Sequence, residues 1–267
     1  MSIFISNWTE SSGRNPVVLF ENLIRDATPN TATSADRTNV QTDSTYDGNL
    51  LDTGVSTASF GYDFGEEKVF NSVAVVGDRL AGLTLRIQDS VNGTDWVNVS
   101  NLFTFGEGHT FLVVFNNVTS RYIRIVFGNK PDPEEPQATV RHLRAGKLFE
   151  FPGGVGYNYT PVWMAQEKEL LVSKTLNGQF VGNRVVSKGS MTSIPMIAEE
   201  RTFVEGVMQP FMQHYNDGRP FIFAAGPTVF DKDVAYVWRQ EGAEMKPTFD
   251  QSGNWMSFTM EVEGYVK

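Results

Sequence analysis

The residues able to do acid–base, nucleophilic or metal chemistry are few in this chain. Its three histidines, His109, His142 and His214, stand far apart and form no His-x-x-x-His or His-Glu-x-x-His pair, so no histidine metal site is expected. Zero cysteines remove thiolate nucleophiles, Cys-based metal sites and disulfides together. Asp231 and Asp233 flank Lys232 and imitate a carboxylate pair, but Gly226 to Asp233 reads as a loop, where solvated turn carboxylates are the ordinary case. Gly153-Gly154-Val155-Gly156 lacks dinucleotide-loop spacing, no Walker lysine follows, and the stretch reads as a hinge. No Gly-x-Ser-x-Gly elbow anchors a serine nucleophile. The expectation is no catalytic residue, no metal and no cofactor: a protein that is not an enzyme. Trp8, Trp96, Trp163, Trp238 and Trp255 are scattered, which suits packing better than a stacking platform.

A chain of 267 residues is one large domain or two ordinary ones. Hydrophobic content of 40%, with 20 Phe, excludes global disorder. A net charge of −9 argues against a nucleic-acid groove or an anionic membrane as partner. No apolar run approaches the roughly 20 residues a bilayer-spanning helix needs, so no membrane insertion is expected. Met1 to Glu10 lacks a basic start followed by an apolar core, which predicts no signal peptide.

The dominant hydrophobic period is two. Leu83, Leu85 and Ile87 alternate with Thr84, Arg86 and Gln88; Ile123, Ile125 and Phe127 alternate with Tyr122, Arg124 and Val126. Met256, Phe258, Met260 and Val262 alternate with Ser257, Thr259, Glu261 and Glu263. Such alternation predicts strands with one buried face, so the fold class is mainly β. Phe203, Val204, Val207, Met208, Phe211, Met212 and Tyr215 instead form a helical stripe, predicting a helix over about 200–216. Glu199 and Glu200 suit its N-terminal dipole end, Asp217-Gly218 stops it, and Pro210 conflicts with it. Asn129 to Pro136 has the composition of a linker or of a rigid surface loop.

Four stretches in order carry a first resemblance: Tyr46-Asp47-Gly48-Asn49, Phe60-Gly61-Tyr62-Asp63-Phe64-Gly65, Ser90-Val91-Asn92-Gly93-Thr94-Asp95-Trp96 and Arg121-Tyr122-Ile123-Arg124-Ile125. Residues 20–150 resemble the discoidin-type, galactose-binding-like domain. The resemblance implies a jelly-roll β-sandwich over 1–152, with the proline-rich stretch inside it as a loop. It also implies sugar or partner contacts at loop tips, for which Tyr46, Arg79 and His109 are the candidates. Some relatives hold a structural calcium, and Asp47 and Glu150 stand at the corresponding places. The family's end-to-end disulfide and one of its tryptophans are missing here.

Residues 157–267 resemble bacteriophage distal-tail and tail-tube proteins, through an order of elements: strands over 160–174 and 179–197, the helix, Arg219-Pro220-Phe221-Ile222-Phe223, a strand near 234–240 and a terminal strand over 254–266. Arg144-Ala145-Gly146-Lys147-Leu148-Phe149 is similar to a short stretch in tail components. This resemblance implies a split β-barrel with one flanking helix that closes rings with copies of itself. Long strands with free edges fit such assembly, since ring closure pairs the edges.

Together these expectations describe a structural virion protein of a phage tail tip, made in the host cytoplasm. It would form a homo-oligomer, a hexamer before a trimer, and meet other tail proteins and cell-surface glycan through the outer sandwich. Glu261 and Glu263 are candidates to face a lumen, and no sequence-specific nucleic-acid contact is expected. The alternatives are a carbohydrate-binding module with an accessory β domain, or a receptor-binding adhesin.

Overall fold

The computed structural model describes residues 2–9, 11–32, 38–51, 57–128 and 137–265. The stretch Asn129 to Pro136 lies outside the described residues. The protein is mainly β, with strands β1 (Ser2–Ser6), β2 (Val17–Leu19), β3 (Thr28–Ala32), β4 (Asn49–Leu50), β5 (Thr57–Asp78), β6 (Thr84–Ser90), β7 (Val97–Asn98), β8 (Phe103–Thr104) and β9 (Thr110–Gly128). They continue as β10 (Thr139–Gly146), β11 (Phe149–Glu150), β12 (Gly154–Val155), β13 (Gln166–Lys174), β14 (Phe180–Glu200), β15 (Phe221–Ala224), β16 (Val234–Arg239), β17 (Thr248–Phe249) and β18 (Trp255–Gly264). One α-helix, α1 (Gln209–Asn216), follows a π-turn over Phe203–Val207.

The strands make two nine-stranded sheets, the first ordered β4-β10-β5-β9-β6-β7 and the second β11-β2-β15-β16-β18-β14-β12. The long pair β5 and β9 runs through the first sheet, with its register broken between Asp63 and Lys68. The core of that sheet takes Val73, Val75, Phe111, Val113, Phe115, Ile123, Ile125 and Phe127. The alternations read in β6, β9 and β18 each put the expected face inside.

A third core joins the two sheets. Ala74, Val76, Leu112 and Val114 of the first sheet meet Val17, Leu19, Ile222, Ala224, Val234 and Tyr236 of the second. Their sequence neighbours Val18, Phe221, Phe223, Ala235 and Val237 point the other way, into the core under the helix. Successive side chains of a strand leave opposite faces, so a strand buried on both sides must be apolar at every position. Val73-Ala74-Val75-Val76 and Phe111-Leu112-Val113-Val114-Phe115 are such runs. Division of the chain at 152 therefore does not coincide with division into sheets: β2 and β11, both before 152, pair within the second sheet.

The helical stripe differs from its expectation at three points. Pro210 sits in the first turn of α1, where its missing amide costs no intrahelical bond. The chain before it widens, with Met208 N donating to the Phe203 carbonyl at 2.9 Å, five residues back. That wide turn rotates Val207 off the stripe, leaving it 61% exposed, while Val204, Met208, Phe211 and Tyr215 are buried. Glu199 stands just before the helical turns that begin at Arg201, but its carboxylate goes to Gly153 N. A bulge after Met196, with Ala198 at φ +57°, turns it inward as the last buried residue of β14.

Candidate functional site

Asp63 in the second discoidin-like stretch and Arg121 in the fourth form a two-pronged ion pair, Nε and Nη2 each 2.7 Å from a carboxylate oxygen. Arg121 holds the Asp63 carboxyl below its ordinary range. Asn92 Oδ1 accepts the amides of Thr94 and Asp95 at 2.9 Å, and Gly93 supplies the φ of +78° that closes this turn. Trp96 does not enter the core as its place after the turn suggests. It lies half-buried on the outer face with the Arg124 guanidinium 4.3 Å from its ring centroid. The strand alternation that buries Ile123 and Ile125 is what puts Arg124 on that outer face.

Arg141 links the Tyr46 backbone to Asp78, the buried end of β5, and His109 lies beside the same carboxylate. Arg141 Nε donates to Asp78 Oδ2 at 2.9 Å and Arg141 Nη1 to the Tyr46 carbonyl at 2.7 Å. Tyr265 donates its hydroxyl to Asp78 Oδ1 at 3.2 Å, and His109 Nδ1 lies 3.4 Å from the same oxygen, close enough for ion pairing but outside hydrogen-bond geometry. The Tyr46 ring is 88% exposed. Arg79 follows Asp78 in the chain with its side chain exposed and φ at +58°. Asp47 lies exposed in the neighbouring turn, whereas Glu150 accepts from Asn15 at 3.0 Å in the second sheet. Among the described residues no group of three or more His, Asp or Glu is placed to hold a metal ion.

Asp231 and Asp233 have different surroundings. Asp231 is exposed, while Asp233 is buried, accepts the Tyr159 hydroxyl at 3.1 Å and has its carboxyl pushed up to about 6 by burial. Glu261 and Glu263 are half-buried. Glu261 accepts from Ser193, and Glu263 from the Trp238 indole at 3.2 Å. Trp238 itself packs against the core between the sheets, so the Glu263 carboxylate sits beside that seam. Gly153-Gly154 is not a free hinge. Gly154 pairs in β12, and Gly153 N donates to the buried Glu199 carboxylate at 3.1 Å. A Cβ at Gly153 would stand 2.6 Å from the Ile197 carbonyl oxygen, so only glycine fits. Burial pushes the Glu199 carboxyl up to about 7.

The residue that ties the two sheets together is Arg144, 1% exposed. Its Nη1 donates to the carbonyls of Phe20 at 2.9 Å and Pro220 at 2.8 Å, and its Nη2 to Asp43 Oδ1 at 3.1 Å. His142 Nδ1 faces the Thr42 carbonyl at 2.6 Å, so it carries the hydrogen, and Nε2 is left to accept from Arg144 Nε at 3.3 Å. Burial, with Arg144 beside it, holds the His142 imidazole down to about 3, hence neutral. In the sequence Arg144 stands out only within the tail-protein resemblance, and His142 has no evident role. The available signal was His142 and Arg144 at positions of β10 between the apolar Val140, Leu143 and Ala145. A cleft of about 1030 Å³ opens beside this hub, and two of its cations are held by acidic neighbours in its lining, Arg25 by Asp43 at 3.2 Å and Arg219 by Asp217 at 3.5 Å.

The feature least accounted for by the chain's own packing is the hairpin of β13 with the first half of β14. Gln166 pairs with Ser190 and Lys174 with Phe180, a ladder about 30 Å long at the usual rise. Thr175 and Gly178 close its tip, the latter at φ +80°. Every residue of β13 is exposed, Leu171 by 61%, and Phe180 across the tip by 66%. Leu170 faces Val185 across the pair, and Val172 and Val181 continue that face, all exposed. Within the described residues both outer edges of this arm lack a strand neighbour.

No family model matches the chain, and no curated protein matches it. Solved structures do show a likeness over about half of it. One is chitosan-binding module 1 derived from a chitosanase/glucanase of Paenibacillus sp. IK-5, at 20% identity and a TM-score of 0.41, covering 46% of this chain and 96% of that one. A second is CpGH89CBM32-6 produced by Clostridium perfringens, at 15% identity and a TM-score of 0.40, covering 49% and 99%. A third is CpGH89CBM32-5 from Clostridium perfringens in complex with GalNAc-β-1,3-galactose, at 12% identity and a TM-score of 0.39, covering 47% and 99%.

Proposed function

We propose that this protein is a structural subunit that assembles with copies of itself through the β13–β14 arm and carries its first sheet outward as a binding module. The observation that supports this reading is the arm: a two-stranded ladder with apolar residues on both faces and, among the described residues, no strand neighbour on either outer edge. An isolated hairpin of this kind is marginally stable in water. Exposed strand edges with apolar side chains recruit another chain, and a closed assembly pairs them. The setting, a phage tail tip with a ring of six copies, rests on the sequence resemblance alone. Sedimentation of the intact chain tests the assembly: a hexamer is expected, and a chain lacking 167–188 should run as a monomer. A monomeric intact chain at every concentration would sink this reading.

A second reading, glycan contact by the first sheet, is favoured by the cluster at Asp78. An exposed phenol ring on a turn whose backbone is held by Arg141, with the Arg141 guanidinium and the His109 imidazole both at Asp78, puts on one loop region the kinds of group that a sugar ring needs. Chitosan oligosaccharide and GalNAc-β-1,3-galactose, named with the similar modules, are the first ligands to titrate. Loss of a measured heat of binding in Tyr46→Ala would support this surface; unchanged binding would place the contact elsewhere.

A further inference from the structure

The pair Asn-Gly occurs twice in the chain, as Asn92-Gly93 and as Asn177-Gly178. Each closes a hairpin turn, with Gly93 at φ +78° and Gly178 at φ +80°. Asparagine is a chemically labile residue. The amide nitrogen of the next residue can attack its side-chain carbonyl carbon, and glycine, with no Cβ, hinders that attack least. Sequence and backbone are alike at the two turns, so a difference in reactivity has to come from what holds each side chain.

At Asn92 the carboxamide is held at both ends. Its Oδ1 accepts from the Thr94 and Asp95 amides, each at 2.9 Å, and from the Ser90 hydroxyl at 3.0 Å, while its Nδ2 donates to Asp95 Oδ2 at 2.7 Å. The would-be nucleophile is occupied as well, since Gly93 N donates to Ser90 Oγ at 2.9 Å. The Tyr122 ring crowds the turn, 3.1 Å from the place a Cβ would take at Gly93. Attack at Asn92 needs its side chain to leave all four hydrogen bonds first.

At the arm tip that clamp is missing. Asn177 is exposed, and its carboxamide has no hydrogen-bond partner among the described residues. Nothing stands within 4 Å of the place a Cβ would take at Gly178. Gly178 N donates to the Thr175 carbonyl at 2.9 Å, an exposed turn bond that opens by local fraying of the tip.

We propose that Asn177 is a site of spontaneous deamidation and that the clamped Asn92 is not. The Gly178 amide nitrogen gives its proton to hydroxide and attacks Asn177 Cγ. The bond from Cγ to the side-chain nitrogen breaks, ammonia leaves with a proton returned from water, and a cyclic imide joins the two residues. Water then opens the imide at either carbonyl, leaving aspartate or isoaspartate. In sum, amide and water become carboxylate and ammonium, with no oxidant, reductant or enzyme. Either product sets a negative charge in a tip, Thr175 to Val181, that has no charged residue. This inference uses the exposure of the tip and does not depend on the assembly reading.

The test is peptide mapping by mass spectrometry of the intact folded chain, incubated in mildly alkaline buffer over a dilution series, with its sedimentation measured alongside. Asn177 should show the mass step from amide to acid about tenfold or more faster than Asn92, because even a single hydrogen bond that must break first slows a reaction by nearly that factor. The chain unfolded in urea should convert both at similar rates. Equal rates in the folded chain, or an unconverted Asn177 at every dilution, overturn the proposal. Asn177→Gln should abolish the conversion at position 177 and leave Asn92 as slow as before; conversion persisting there also overturns it. Where sedimentation shows an assembled mass, slower conversion than in the dilute chain means that the assembly covers the tip. An equal rate keeps the deamidation site and removes the tip from the assembly contact.

Discussion

Val73-Ala74-Val75-Val76 in β5 and Leu170-Leu171-Val172 in β13 are written with the same kind of residues and meet opposite fates. The first run is 0% exposed throughout, divided between the core of the first sheet and the core between the sheets. The second is exposed on both faces. A continuous apolar run states that both faces of a strand are to be covered, and it does not state by what. At the seam the same chain supplies the cover; on the arm it does not, and the uncovered area is where a second chain gains most from contact.

The largest effect is expected from removing the clamp at the seam. Arg144→Ala leaves Asp43 and the carbonyls of Phe20 and Pro220 without their buried donor, and should cost about 3–5 kcal/mol in denaturant unfolding. A loss below about 1 kcal/mol, the range of an exposed pair, would mean that the apolar seam alone joins the sheets.

Next in size is a matched pair of truncations. Leu112→Ala, in the seam, should cost about 2–5 kcal/mol through the cavity it leaves. Leu171→Ala, on the arm, should change unfolding of the dilute chain by no more than about 0.5 kcal/mol. Equal losses at both sites would show that the arm folds back onto its own chain in solution.

Buried titratable groups make the stability of the fold depend on pH in two opposite directions. His142 has a folded value near 3 against an ordinary 6.5, so the unfolded chain takes up the extra proton. Stability from this group is complete above pH 6.5 and falls as pH drops toward 3, by at most about 1.4 kcal/mol per pH unit. Burial lowers His214 in the same direction. Glu199 is the reverse, about 7 folded against 4.5, so the unfolded chain ionises first and stability is lost as pH rises from 4.5 to 7. Asp233, raised to about 6, adds to that limb. Glu199→Gln keeps an acceptor for Gly153 N and should gain on the order of 1–3 kcal/mol at pH 8 with little change at pH 4. An equal gain at both pH values would mean the carboxyl is not what the fold pays to bury.

The smallest expected effect is Trp96→Ala. A half-buried indole under the Arg124 guanidinium should contribute about 0.5–1 kcal/mol from that stacking. A loss near 3 kcal/mol, the size of a core aromatic cavity, would place the ring deeper than the structure has it.

Local pattern was enough to specify the strands. Side chains leave a strand alternately, so Leu83 to Gln88, Ile123 to Phe127 and Met256 to Glu263 each carried their buried face in their own spelling. The turn at Asn92-Gly93 was equally local, since few other residue pairs tolerate that backbone. The helix was legible in its stripe but not in its geometry. Pro210 forbids an α-helical middle, and whether the chain breaks there or widens before it depends on the core under Phe211 and Tyr215. His109, a loop-tip candidate in the sequence, reaches Asp78, and Arg141 ties the Tyr46 backbone to the same carboxylate, because β5, β9 and β10 end side by side there.

What the tertiary structure alone decided is which strands share a sheet and what each charge faces. Val17–Leu19 pairs with Phe221–Ala224, some two hundred residues away, and no local rule links them. Arg144 and His142 looked like two polar residues on a strand and became a buried clamp, because the carbonyls that receive Arg144 come from Phe20 and Pro220 on the other sheet. Glu199 looked like a helix-end carboxylate and was turned inward by a bulge that β12 and β18 impose together. Alternation and turn chemistry act within a few residues and can be read in order. Pairing, desolvation and the partner of a charge depend on segments that only folding brings within a few ångströms.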